Sequence, residues 1–249
     1  MEFVFLNAGN GFMGFYGFPG MFYRMDPTYS LVVIGAVICM IASANVNRSF
    51  SKYSRYGCKR GTTGAQAAEK ILHDAGIYDV QIRHISGDLT DNYNPGNKTL
   101  NLSDSVYGSS SIAAVGVAAH ECGHAIQHNV GYIPIKIRSA IVPVVNLGSK
   151  LSWPIIILGV ILGSFNMLNI GILLFALTLV FQIVTLPVEF NASSRALKML
   201  GSSGMLGADE VKGARKVLTA AALTYVAALA SSILQLLRLI ILAGGRDRD

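Results

Sequence analysis

Charge is what this chain has least of. Only 14% of its 249 residues are Asp, Glu, Lys or Arg, whereas 52% are hydrophobic and the mean hydropathy is +0.48. An ordinary soluble domain carries about 25% charged residues, so the deficit excludes that class and points to the membrane. Cysteine is scarce too: Cys39, Cys58 and Cys122 offer no disulfide framework. A basic stripe with interleaved aromatics is also missing. The net charge of +6 therefore implies no nucleic-acid partner. Its basic residues stand at the ends of apolar runs, where membrane topology would put them.

What is present is four such runs: Tyr29–Val46, Leu151–Leu168, Ile170–Val188 and Val217–Leu237. Each is near the ~20 residues that a bilayer core demands. Arg48, Lys52, Arg55, Lys59 and Arg60 follow the first run. By the positive-inside rule, residue 47 onward is then cytoplasmic and the N-terminus is outside. Ala42-Ser43-Ala44 resembles a signal-peptide cleavage site. Before the run, however, Arg24 is the only basic residue, and Glu2 and Asp26 balance it, so the run reads as an uncleaved anchor.

The expected organisation follows from these runs. Residues 1–28 form an extracytoplasmic Gly- and aromatic-rich segment, 29–46 the first span, and 47–138 a cytoplasmic domain. A transmembrane hairpin covers 151–188, a cytoplasmic helix 189–216, and the fourth span 217–243. Gly159 and Gly163 make a small-xxx-small match that can pack the hairpin, and a homo-oligomer is compatible with it. A small transporter would show paired broken helices and internal repeats, and neither is seen.

The segment 61–110 reads as a compact α+β piece. Thr62-Thr63-Gly64 can start a helix running to Ala75, with Gly76 just past its end. Residues 80–85 alternate apolar and polar side chains as a strand does, 92–97 carry turn residues, and 99–103 alternate again. A strand just before the following helix is placed either for an internal hairpin or for pairing with an extended peptide.

That following helix carries the chemistry. His120-Glu121-Cys122-Gly123-His124 sets two imidazoles one turn apart, able to share one zinc ion, with Glu121 as general base toward water. The run Ser111–Ala119 before it is small, apolar and free of proline. The chain has five His, and His120, His124 and His128 recur at i, i+4 and i+8. Cys122 points about 200° round the helix from His120, away from any metal. His128 is expected to support the site rather than ligate, because three ligands on consecutive turns of one helix make poor tetrahedral geometry. Gln127 and Val130 occupy the positions where the extended metzincin pattern needs Gly and His, so that class is excluded.

A catalytic zinc takes three protein ligands and one open position. Glu189 stands at the end of the third run, two membrane crossings after the motif and so on the same face. Small residues one turn on, Ala192 and Ser193, would let its helix lie close to the motif helix. Glu189 is the expected third ligand. A site-two-type protease would take an Asp from a later span, and none occurs there. Tyr93, Tyr107, Tyr132 and His128 are candidate donors to the oxyanion.

Four stretches together resemble the bacterial neutral zinc metallopeptidases of the YugP type. They are Leu89-Thr90-Asp91-Asn92-Tyr93-Asn94-Pro95, Leu102-Ser103-x-Ser105-Val106-Tyr107, Val117–His128 and Leu186-Pro187-Val188-Glu189-Phe190-Asn191-Ala192-Ser193. More distantly the chain resembles the HtpX and CAAX-prenyl-protease membrane gluzincins. Asn92 and Asn94 stand where the family is expected to carry Asp, so no metal or proton role is carried over to that loop. Ser193 stands where the distant relatives carry an Asp that orients a zinc histidine.

The resemblance implies peptide hydrolysis at a membrane. The expectation is a mainly α-helical, multi-pass protein of the cell membrane. It has about four transmembrane helices and a small α+β gluzincin-like zinc peptidase domain facing the cytoplasm. One Zn2+ would be held by His120, His124 and Glu189, with Glu121 as base and membrane-associated polypeptide as substrate. The rival expectation is a non-catalytic membrane scaffold with a structural zinc, for which His128 would be the fourth ligand.

Overall fold

The computed structural model describes residues 26–245. It is mostly helical, with a small sheet. The elements are α1 (Tyr29–Tyr53), α2 (Gly64–Asp74), β1 (Gln81–Ile85), β2 (Asn92–Asn94), β3 (Thr99–Ser103) and α3 (Asp104–Tyr107). They continue with α4 (Ile112–Asn129), α5 (Ile133–Ile161), α6 (Phe165–Ser202) and α7 (Ala208–Gly245). Helices α1, α5, α6 and α7 are long and apolar enough to cross a membrane. The chain divides into two compact units. The first comprises residues 45–132 and 189–222, and the second comprises 26–44, 133–188 and 223–245 among the described residues.

The first unit is built around α4. Helix α2 begins with a full capping box. Thr63 accepts from the Gln66 amide, and the Gln66 side chain accepts from the Thr63 amide. It ends before Gly76, whose φ of +71° suits glycine. The sheet order is β1-β3-β2, with β1 parallel and β2 antiparallel to β3. The strand that leads toward the motif helix, β3, is thus central and paired on both sides. The hairpin alternative is the one realised, and β2 rather than β3 carries a free edge.

Ile71 and Leu72 from α2, Leu100 and Leu102 from β3, and Val115, Ala118, Ala119 and Cys122 from α4 form one core. From Ile112 to Gln127 every residue of α4 but Val117 is buried. A helix covered on all sides needs small residues where neighbours come close. Gly123 shows why: a Cβ there would stand 2.5 Å from the Ala192 carbonyl oxygen on α6. Ser111 caps the start of α4 through the Ala114 amide at 3.1 Å. A Schellman arrangement closes the other end. Gly131 (φ +65°) and Tyr132 return their amides to the carbonyls of His128 and Gln127.

The second unit contains the apolar helical segments. Leu147, Ile161, Leu162, Leu173, Met40 and Ile41 project outward from them, each more than half exposed. That much exposed hydrocarbon suits lipid, not water. Gly159 is a close-approach site, since a Cβ there would meet the Leu168 backbone at 2.8 Å. Gly163 does a different job. It takes φ +63° in the turn while the Ser164 amide reaches the Gly159 carbonyl at 2.9 Å. Arg238, near the end of the fourth apolar run, rests its guanidinium 4.3 Å above the Tyr29 ring.

Several boundaries differ from the sequence expectation. The hairpin turn falls at residues 162–164, not between the second and third apolar runs at 168–170, because Gly163 supplies the left-handed residue that ends α5. Helix α5 starts at Ile133, so the stretch expected to connect domain and hairpin is helical. Pro134 is compatible with this because a first-turn proline has no amide to lose. Helices α1, α6 and α7 run past the apolar stretches without a break. The expected segment 1–28 lies outside the described residues except for its last three, as do residues 246–249.

Candidate metal centre

The spacing on α4 places the His120 and His124 rings 4.8 Å apart, nearly perpendicular at 85°. Both direct Nε2 at one oxygen from another helix. Glu189 Oε2 on α6 is 3.3 Å from His120 Nε2 and 3.6 Å from His124 Nε2. The three ligand atoms lie within 4.8 Å of one another, and all three side chains are buried. Gly123, between the two histidines, is what lets α6 come this near.

Each imidazole is fixed from behind. Ser193 Oγ lies 3.1 Å from His120 Nδ1, and Gln127 Oε1 lies 3.0 Å from His124 Nδ1. With Nδ1 engaged, Nε2 is the nitrogen left facing the centre. The second support continues outward. Gln127 Nε2 donates to Asn191 Oδ1 at 3.0 Å, and Arg195 Nε donates to the same oxygen at 2.7 Å. The Arg195 guanidinium in turn sits over the Tyr132 ring at 5.9 Å. Gln127 is completely buried, so its amide has no solvent to fall back on.

Glu121 points at the same region. Its side chain is buried, and Oε1 has no hydrogen-bond partner among the described residues. Burial, the largest influence, pushes its pKa up to about 8 in the metal-free chain. Asp91 and Glu189 add to the rise, and His124 opposes it. The donor set fits a divalent metal such as zinc: two imidazole nitrogens and one carboxylate oxygen, buried and backed by hydrogen bonds, beside an acidic group with an unspent oxygen.

Residues 28–244 match the family model described as "Putative neutral zinc metallopeptidase". The chain belongs to this neutral zinc metallopeptidase family. It is 45% identical over 209 residues to a protein of Bacillus subtilis (strain 168) named "Putative membrane protease YugP". That alignment covers 84% of this chain and 93% of the relative. No solved structure matches.

The remaining candidate residues take other places in the fold. His128 is not in the ligand cluster; its Nδ1 meets the Tyr93 hydroxyl at 3.2 Å. Tyr132 serves as the platform for Arg195. Tyr107 stacks on His84 with ring centres 5.0 Å apart and lines a cavity with Gln66, Glu69 and His73. The structure does not join it to the His120–Glu189 cluster. Cys122 turns its sulfur to the Ala68 carbonyl at 3.6 Å, on the far side of α4.

Two supports escaped the sequence reading. Gln127 stands three residues after His124, a spacing that shares a helix face, so periodicity could have found it. Asn191, two residues past Glu189, had no such signal. A third residue, Asp91, has a structural role that no local pattern announces. It is buried and accepts from the Ser103 amide at 2.8 Å and the Ser103 hydroxyl at 2.9 Å, tying the loop before β2 to the end of β3.

Proposed function

We propose that this chain is a membrane-bound zinc endopeptidase whose centre is His120, His124 and Glu189, with Glu121 as general base. The convergence of two imidazole Nε2 atoms on Glu189 Oε2 carries the reading. Bound there, a zinc ion would supply Lewis acidity toward a water and the scissile carbonyl. The chain's own residues do the rest. Ser193 and Gln127 hold the imidazoles in the ligating tautomer. Glu121 keeps Oε1 clear of hydrogen-bond partners among the described residues, open to take a proton from water. A cation beside Glu121 favours its carboxylate form, offsetting the burial that raises its pKa. Glu121 then delivers the proton to the leaving amine.

The substrate would be membrane-associated polypeptide. The site faces the cytoplasm, a reading supported by Arg48, Lys52, Arg55, Lys59 and Arg60 after the first apolar run and by Arg195 and Lys198 after the third. A closed structural zinc would need a fourth ligand, and His128 stands outside the cluster that His120, His124 and Glu189 form.

The experiment compares wild type with Glu121→Gln for bound zinc and for cleavage of casein. The expected result is equal zinc with cleavage reduced at least about a hundredfold, as loss of a general base requires. Unchanged cleavage would remove Glu121 from the chemistry. Full zinc occupancy in Glu189→Ala would remove the third ligand.

A further inference from the structure

Within the first unit, α6 and α7 leave a cleft of about 380 Å³ that the hydrolytic reading does not use. One part of its wall is cationic and hydroxylic: Lys198 and Ser194 on α6, Arg215 and Thr219 on α7. Another part is apolar, with Leu218 buried and Phe190 almost half exposed. Lys198 and Arg215 are both exposed, and neither makes an ion pair or hydrogen bond with any described residue.

The position along the helices matters as much as the composition. The apolar run of α6 ends at Val188, just before Phe190, and that of α7 begins at Val217, just after Arg215. The cleft therefore opens where both helices leave their membrane-compatible stretches, at the depth of lipid headgroups. An ammonium, a guanidinium and two hydroxyls supply many donors and no fixed negative charge. That complements a phosphate, whose several acceptor oxygens suit a guanidinium fork. The adjoining apolar wall suits the first methylenes of an acyl chain. A zwitterionic lipid brings its own cation to two unneutralised cations, whereas an anionic one does not.

We propose that this cleft binds the phosphate of an anionic phospholipid, with Lys198 and Arg215 as its charge partners and Phe190 and Leu218 against the chain. Ser193, which holds His120, lines the same cleft, so the occupant lies directly behind a support of the metal centre.

The test uses the full chain in detergent, with phosphatidylglycerol and phosphatidylcholine as probes and bound lipid counted by native mass spectrometry. Phosphatidylglycerol is expected to be retained at one saturable site, and phosphatidylcholine not. Lys198→Gln with Arg215→Gln should weaken it roughly thirtyfold, the loss of two interfacial charges. Thr219→Phe, which fills the cleft and leaves both charges, should also abolish the site. Lys52→Gln with Arg55→Gln removes as much charge elsewhere and should change nothing; circular dichroism checks that every variant folds. Equal retention of phosphatidylcholine, or an unaffected Lys198/Arg215 double variant, would overturn the proposal. So would displacement of the lipid by inorganic phosphate at matching concentration, since the cleft would then be taking a free anion.

Discussion

Gly123→Ala puts the smallest side chain at the most demanding point of the molecule. The new Cβ would lie 2.5 Å from the Ala192 carbonyl oxygen, 3.0 Å from its carbon and 3.1 Å from its Cα. All three are backbone atoms of α6, so no rotamer change relieves them. Ordinary contact begins near 3.4 Å, so α4 and α6 must part by about 0.9 Å. Glu189 precedes Ala192 by one helical turn, and His120 and His124 flank Gly123. The separation passes straight into the ligand set, where bond lengths tolerate only about 0.2 Å. Overpacking of this kind costs about 1–3 kcal/mol. If it falls on metal binding, zinc affinity drops about 5- to 150-fold. Chelator competition measures that, alongside melting with and without zinc. Gly116→Ala is the control on the same helix. Its Cβ would meet the Ala214 side chain at an ordinary 3.4 Å, and zinc affinity should hold. A Gly123→Ala protein with wild-type zinc affinity and melting would refute the claim that this contact sets the distance between the ligand-bearing helices.

Other outcomes follow from the same geometry. Gln127→Leu should weaken zinc binding about 10- to 100-fold by freeing the His124 ring, and Gln127→Glu, which keeps the acceptor, should restore most of it; equal affinities in both would leave Gln127 without a positioning role. In the metal-free chain, Glu121 keeps its proton to about pH 8, whereas an unfolded chain releases it near 4.5. The native state therefore binds more protons across that window. This stabilising contribution is full below pH 4.5, declines as pH rises and is gone above 8, at no more than about 1.4 kcal/mol per pH unit. Zinc-free melting should fall from pH 5.5 to 7.5, and Glu121→Gln should flatten the fall; parallel profiles would contradict it. Asp91→Ala strands the buried Ser103 amide and should cost about 1–3 kcal/mol of stability, read by denaturant unfolding of the detergent-solubilised chain.

How much of this could be read in the chain depends on the range of each interaction. The α2 capping box, the Gly76 stop and strands β1 and β3 are local, and turn chemistry and alternation announce them. The His120–His124 pairing is equally local, being helical periodicity. Glu189 is not, and was reachable only because two membrane crossings return a chain to the same face. Asn191 and the Asp91–Ser103 tie depend on how α6 and the sheet pack, which no local pattern encodes. The end of the third apolar run was misleading as a boundary. Lipid stops paying for helix near Val188, but packing of Val188, Ala192, Ala196 and Leu200, all fully or nearly fully buried, continues it to Ser202.

The centre is drawn from two segments that leave the ribosome at different times. His120, Glu121 and His124 emerge first, together on α4. Glu189 follows only after both α5 and the apolar part of α6 have been made. At about 5–20 residues per second, the interval from His124 to Glu189 lasts on the order of 3–13 s. Throughout it, the nascent chain has two imidazoles and a base but no carboxylate to complete the set. On the reading proposed above, hydrolysis would wait for the hairpin, and a chain stalled before it would carry only part of the centre.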